Sequence, residues 1–259
     1  MKVILNTLLS FWKISIKTGV ANLPLFLTFF LYWKLIGKRI FRFKFKYKNN
    51  NFHFYADSRV DLAAVEEIFV HEEYMYDYIP NPKVILDLGA NVGDTAIFYS
   101  ILFPAAKIFA IEPNPLVHEK LELNAGQFTN IKVCKCAVSD KTGKIDLHFG
   151  DSHLGSSINQ REQNRNSVEV DVYSLDDFCK NEGIEKIDIL KFDIEGAEEY
   201  LLKSDYLKTR VVEMVGEMHD DLVSQPLQPM IDKLGLENIN KKILNNKRYI
   251  IYGKLTPKL

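Results

Sequence analysis

From Lys83 onward, five short apolar runs alternate with segments of helical length: Lys83–Leu88, Lys107–Ile111, Ile131–Val138, Ile187–Phe192 and Val211–Glu217. No other feature constrains the fold as tightly. Strands separated by helices pair as parallel neighbours, and the helices must then cover both faces of the sheet. The last two runs differ, because "ENINKKIL" and "RYIIYGKL" flank Asn245-Asn246, a two-residue hairpin signal. The expected fold is therefore α/β, a mostly parallel seven-stranded sheet with a terminal antiparallel hairpin. A second hairpin, "GKIDLHF" with "SVEVDVY", is inserted before the fourth strand, its arms joined by a polar loop from Gly150 to Asn166.

In such sheets ligands bind beyond the carboxyl ends of the strands, where glycines let the backbone come close. The first strand runs straight into "DLGANVGDT", which puts Asp87, Gly89, Ala90, Asn91 and Gly93 at that edge. A dinucleotide loop prefers Gly-x-Gly-x-x-Gly, with glycines where this chain has Asn91 and Asp94. An aspartate at a helix start suits the helix dipole and repels a phosphate, so a cationic or zwitterionic ligand is expected over a pyrophosphate. The second strand ends in "IEPNP", placing Glu112 and Pro113 where an acidic side chain accepts hydrogen bonds from ribose hydroxyls. That feature serves NAD as well, which keeps an NAD-dependent oxidoreductase as the enzymatic alternative.

The 33 basic and 34 acidic side chains nearly cancel, which removes any global electrostatic case for nucleic acid. Three cysteines are too few for a disulfide framework and suit the reducing cytoplasm. Cys134 and Cys136, two apart in one expected strand, share a face as buried thiols. Ahead of Asn81-Pro82, residues 1–80 form an N-terminal part, and residues 81–259 the ligand-binding domain. "RIFRFKFKYKNNNFHFYAD" alternates aromatic and basic residues on both sides of Asn49-Asn50-Asn51 and reads as a hairpin with one packed face. "SRVDLAAVEEIFVHEEY" follows as an amphipathic helix. Thr18–Trp33 is apolar between lysines, shorter than the roughly 20 residues a span needs. It stays open as a helix packed on the domain, an interfacial segment giving peripheral membrane contact, or a span.

"SLDDFCKNEGIEKIDILKFDIEGAE", Ser174 to Glu198, resembles the FkbM family of S-adenosylmethionine-dependent methyltransferases. The resemblance extends over roughly Asp61 to Gly253 and includes "EEIFVHEEY" before the domain, "DLGANVGDTAIF", "IEPNP", "AVSD" and "GEMH". It implies a class I, Rossmann-like fold and O-methylation of a sugar or other glycan-like acceptor, a small molecule or glycan being the partner. Asp87, Gly89, Asn91 and Gly93 would form the cofactor loop, Glu112 would hold the ribose, and Cys136-Ala137-Val138 would lie along the adenine. A binding module that keeps the fold without catalysis is the non-enzymatic alternative.

A hydroxyl acceptor must lose a proton as it attacks, which calls for a base or a metal ion. Asp193 and Glu195 leave the fourth strand at its carboxyl end, and Glu217 and His219 leave the fifth, so neighbouring strand ends gather all four. In one reading His219 is the base and a carboxylate orients it. In the other, Asp193, Glu195 and Glu217 hold Mg²⁺. The first is favoured, because Glu195 begins a helix, where a carboxylate has a structural reason to be.

Overall fold

The computed structural model describes residues 13–14, 39–149 and 166–256. Thr18–Trp33 and most of the Gly150–Asn166 loop lie outside the described residues. Among the described residues, no helix is long and apolar enough to cross a membrane.

The chain opens with an antiparallel hairpin, β1 (Phe41–Tyr47) and β2 (Asn50–Ala56). Lys48 and Asn49 turn it with positive φ, 42° and 66°. Period-2 alternation buries Phe43, Phe45, Phe52 and Phe54 and leaves Arg42, Lys44 and Lys46 exposed. Helix α1 (Arg59–Val65) follows, with Ser58 and Asp61 capping its first turn reciprocally. It widens into a π-helical turn over Glu66–Val70.

The main sheet is built from β3 (Val84–Leu88), β4 (Lys107–Ile111), β5 (Ile131–Cys134), β9 (Ile187–Phe192), β10 (Val211–His219), β11 (Glu237–Ile243) and β12 (Arg248–Lys254). Its order is β11-β12-β10-β9-β3-β4-β5, with β12 antiparallel to both neighbours and the β3, β4, β5, β9 and β10 pairings parallel. This is the class I, Rossmann-like arrangement that the family resemblance implies. Helix α2 (Asp94–Leu102) follows β3 and α3 (Pro115–Ala125) follows β4. The strand order reverses between β3 and β9, and at such a switch point the loops leaving the two strands diverge to open a crevice.

Three details depart from the sequence reading. The expected strand Ile131–Val138 is two: β5 stops at Cys134 because its partner β4 ends opposite it, at Ile111. The chain then starts β6 (Ala137–Ser139) in a separate three-stranded sheet with β7 (Gly143–Phe149) and β8 (Asn166–Ser174). Cys134 and Cys136 are buried thiols all the same, but do not share one strand. The β10 strand runs two residues further than expected, so Glu217 and His219 belong to the strand itself. The connection from β11 to β12 is longer than two residues: Ile243 pairs with Tyr249, and the Asn245 side chain accepts from Lys247 N and Arg248 N.

The hairpin and α1 share one hydrophobic cluster with β3, β4, α2 and α3. Polar bonds reinforce the seam: Tyr55 N donates to Asn124 Oδ1 at 2.7 Å, and the buried Lys120 reaches Asp57 and Asp61. Ile14 is fully buried in the same cluster, and Lys13 pairs with Glu66 at 3.0 Å.

Candidate active site

The cofactor loop leaves β3 at the switch point. Gly89 has φ +73°, and a Cβ there would lie 1.9 Å from the Asp193 carbonyl oxygen, so any side chain would force the loop off β9. Gly93 is left-handed at the start of α2. Asn91 also has positive φ, 45°. Ala90 is fully buried beneath the loop.

Asp87 is completely buried and does not offer a free charge to a ligand. Its register partner across β3 and β9 is Lys191, whose Nζ lies 2.9 Å from Asp87 Oδ1, and Thr95 donates to Oδ2 at 2.5 Å. Lys191 also donates to Gly89 O at 2.9 Å and so fastens the loop. Burial works against its charge, but Asp87 and Asp193 beside it prevail and hold its pKa above the ordinary lysine value. Sequence reasoning missed this lysine; the signal was a lone cation near the end of the strand "IDILKF", whose six residues are all buried.

Glu112, at the end of β4, is buried and accepts Asn91 N at 2.9 Å and Asn114 N at 2.8 Å, one on each oxygen. Burial pushes its carboxyl up to about 7, against the two backbone bonds. Each oxygen keeps a second lone pair for a hydroxyl donor. Pro113 is half-buried beside it, and Ala137 is buried where β6 begins.

The four residues expected at the ends of the fourth and fifth strands do converge. His219 is 1% exposed, and its Nε2 lies 3.4 Å from Glu217 Oε1, 3.7 Å from Asp193 Oδ1 and 3.9 Å from Glu195 Oε2. Glu217 and His219, two apart on β10, share a face. Glu195 reaches back through a left-handed turn, φ 48°, followed by Gly196 at φ 99°. The other imidazole nitrogen, Nδ1, is bonded at 2.7 Å to Glu198 Oε1, and Glu198 also accepts Gly196 N at 2.9 Å. Glu198 is fully buried and opens helix α4 (Glu198–Leu201); it too was missed, hidden among the glutamates of "IEGAEE". Burial alone would lower the His219 pKa, but Glu198 bonded to it and Asp193 and Glu195 facing it raise it to about 9. Lost hydration and Asp193 push Glu217 up to about 7.

One cleft, with about 600 Å³ of space that is partly open solvent, runs between the loop after β3 and the ends of β9 and β10. Gly89, Asn91, Asp94 and Thr95 line its cofactor side, and Asp193 and Glu217 its far end. Its outer wall is α1 and the π-helical turn, through Ala64, Glu67 and Ile68, with Glu73 and Tyr74 beyond.

The comparisons with known proteins decide the family. Residues 87–234 match the methyltransferase FkbM domain. The chain belongs to the FkbM methyltransferase family. Among FkbM-related proteins, it is 32% identical to the 2-O-methyltransferase NoeI of Sinorhizobium fredii over 51% of this chain and 62% of that protein. It is 27% identical to the 31-O-demethyl-FK506 methyltransferase FkbM of Streptomyces tacrolimicus, over 53% of this chain and 65% of that one. The chain thus spans less than two thirds of the length of either. The crystal structure of the FkbM methyltransferase from Methylobacillus flagellatus superposes with a TM-score of 0.49 at 15% identity, covering 75% of this chain and 54% of the other. The matched family region begins at Asp87, so the cleft wall from Val60 to Tyr74 lies before it.

Proposed function

We propose that the protein is an S-adenosylmethionine-dependent O-methyltransferase that modifies a hydroxyl of a sugar or glycan-like acceptor. The observation that carries this reading is the Glu198–His219 pair. Glu198 accepts the Nδ1 proton and leaves Nε2 facing Glu217 and Asp193, which line the far end of the cleft, the arrangement of an oriented general base.

The residues fit the cofactor: Gly89 leaves the loop backbone free of any side chain, and Glu112 stands at the adjacent strand end with acceptor capacity left over. When bound, S-adenosylmethionine supplies a methyl group carried on a sulfonium. Gly89, Asn91 and Glu112 would hold it, and the cleft residues would orient the acceptor in line, where much of such a reaction's acceleration arises. His219 Nε2 would take the hydroxyl proton as the oxygen attacks, and Glu198 would stabilise the resulting imidazolium. NoeI and the Streptomyces FkbM, both named as O-methyltransferases, support the choice of oxygen as acceptor.

A second reading is favoured by one observation: ligand atoms of Asp193, Glu195 and His219 lie within 4.8 Å of one another, close enough to hold a divalent ion. The imidazole in that set counts against Mg²⁺, which prefers oxygen ligands. Calorimetry of the full chain tests the main reading. S-adenosylhomocysteine should bind and NAD should not; the reverse result would turn the protein into an oxidoreductase candidate.

A further inference from the structure

We propose that this cleft selects acceptors without negative charge, and that Glu67 is the residue that sets the preference. The inference rests on the methyltransferase reading above and concerns the acceptor side of the same site. Four carboxylates line the cleft around the place an acceptor must occupy: Glu67 and Glu73 on the outer wall, Asp193 and Glu217 at the far end. One cation, Lys191, lines it, and that charge is committed to Asp87 and to the Gly89 carbonyl. Lys242 and Arg248 are committed as well, to Glu73 at 2.6 Å and to Asp221 at 3.0 Å.

Among the described residues, then, the cations at the acceptor space are Lys191 and the protonated His219, and each already faces carboxylates. A carboxylated or phosphorylated acceptor would bring a like charge into a partly desolvated cleft with nothing to receive it, and such a juxtaposition rejects a ligand strongly. Hydroxyl or ammonium donors meet acceptors on both sides instead.

Glu67 differs from the other three. Glu73 is held by Lys242, and Asp193 and Glu217 face His219, whereas Glu67 has no ion-pair partner among the described residues; burial, with Glu73 and Asp193 beside it, pushes its carboxyl up to about 7, so its charge is fully present above that pH. It projects from the π-helical turn, an irregularity frequent at functional sites. That turn lies ahead of residues 87–234, the part that matches the family model.

The test uses the full chain and three tetrasaccharides: chitosan (cationic), chitin (neutral) and galacturonate (anionic). S-adenosylhomocysteine is titrated first. The saturated protein is then titrated with each sugar, for the natural protein and for Glu67→Lys. The proposal expects the anionic sugar to bind at least about tenfold more weakly than the neutral one. It also expects Glu67→Lys to erase that gap while S-adenosylhomocysteine affinity stays within about twofold. Equal binding of galacturonate and chitin, a gap unmoved by Glu67→Lys, or no sugar bound by a protein that still takes S-adenosylhomocysteine would each overturn it. Failure to bind S-adenosylhomocysteine would instead overturn the functional reading beneath it.

Discussion

Asp87 and Lys191 are register partners on adjacent parallel strands, and their charges meet at 2.9 Å with both side chains buried. Removing one partner leaves an uncompensated charge in the core, a change that costs about 3–5 kcal/mol. Lys191→Met or Asp87→Asn should therefore lower the urea midpoint sharply, and Lys191→Met should also weaken cofactor binding, because Lys191 ties down Gly89. The double variant should be less destabilised than the sum of the two. Strict additivity would show that the two charges do not depend on each other.

The base assignment is tested by turnover. His219→Ala should reduce it by about 10²–10⁴ while S-adenosylhomocysteine affinity barely changes. Glu198→Gln should act in the same direction, since it disturbs the tautomer that leaves Nε2 free. Chelator should have little effect. Loss of activity on chelation, restored by a divalent ion, would move the chemistry to the Asp193, Glu195 and His219 cluster.

The pH profile follows from the same residue. With its pKa held at about 9, His219 is protonated at neutrality and unable to accept the acceptor proton. Turnover should rise about tenfold per pH unit and level off as the pH reaches that value. Stability runs the other way. A folded-state pKa raised above the unfolded one stabilises fully below the ordinary imidazole range, and that contribution is lost as pH rises through about 9. A rate that is flat from neutrality upward would remove His219 from the proton transfer.

Glu112 makes the cofactor prediction specific. It joins Asn91 N and Asn114 N, so Glu112→Ala removes the proposed ribose contact and also loosens both loops. Affinity for S-adenosylhomocysteine should fall by about 1–3 kcal/mol in calorimetry. An unchanged value would place the ribose elsewhere.

Trimming the amino terminus should separate packing from membrane contact. A chain beginning at Asp57 lacks Phe43, Phe45, Phe52 and Phe54, which the hairpin buries in the common core, and should aggregate or melt early. One beginning at Arg39 keeps them and should stay folded, losing only the contacts of Lys13 and Ile14 among those described. If Thr18–Trp33 meets lipid, the full chain alone should sediment with anionic vesicles; equal behaviour of the two would end the membrane reading.

What the sequence made legible were features with a local cause. Strand–helix alternation, the glycine loop and acidic residues at strand ends each follow from a few neighbouring residues, and Asp193, Glu195, Glu217 and His219 do meet where the strand ends predict. The missing pieces depend on register. Lys191 finds Asp87 only because β9 and β3 align those two positions. Glu198 finds His219 only because the turn at Glu195 and Gly196 folds the next helix back over β10. The end of β5 was set by the length of its neighbour β4, which no pattern within Ile131–Val138 records. Asp87 shows the same limit: its position was read correctly, while the partner that consumes its charge lies 104 residues away in the chain, at Lys191.

The absence of a side chain at Gly89 lets its backbone press against the Asp193 carbonyl, where a Cβ would have only 1.9 Å of room. The loop that would grip the methyl donor and the turn that carries Asp193 and Glu195 are therefore wedged together as one mechanical part. Settling the loop around a donor also sets the far wall for an acceptor. A protein built this way has little freedom to tune one half of the reaction without disturbing the other.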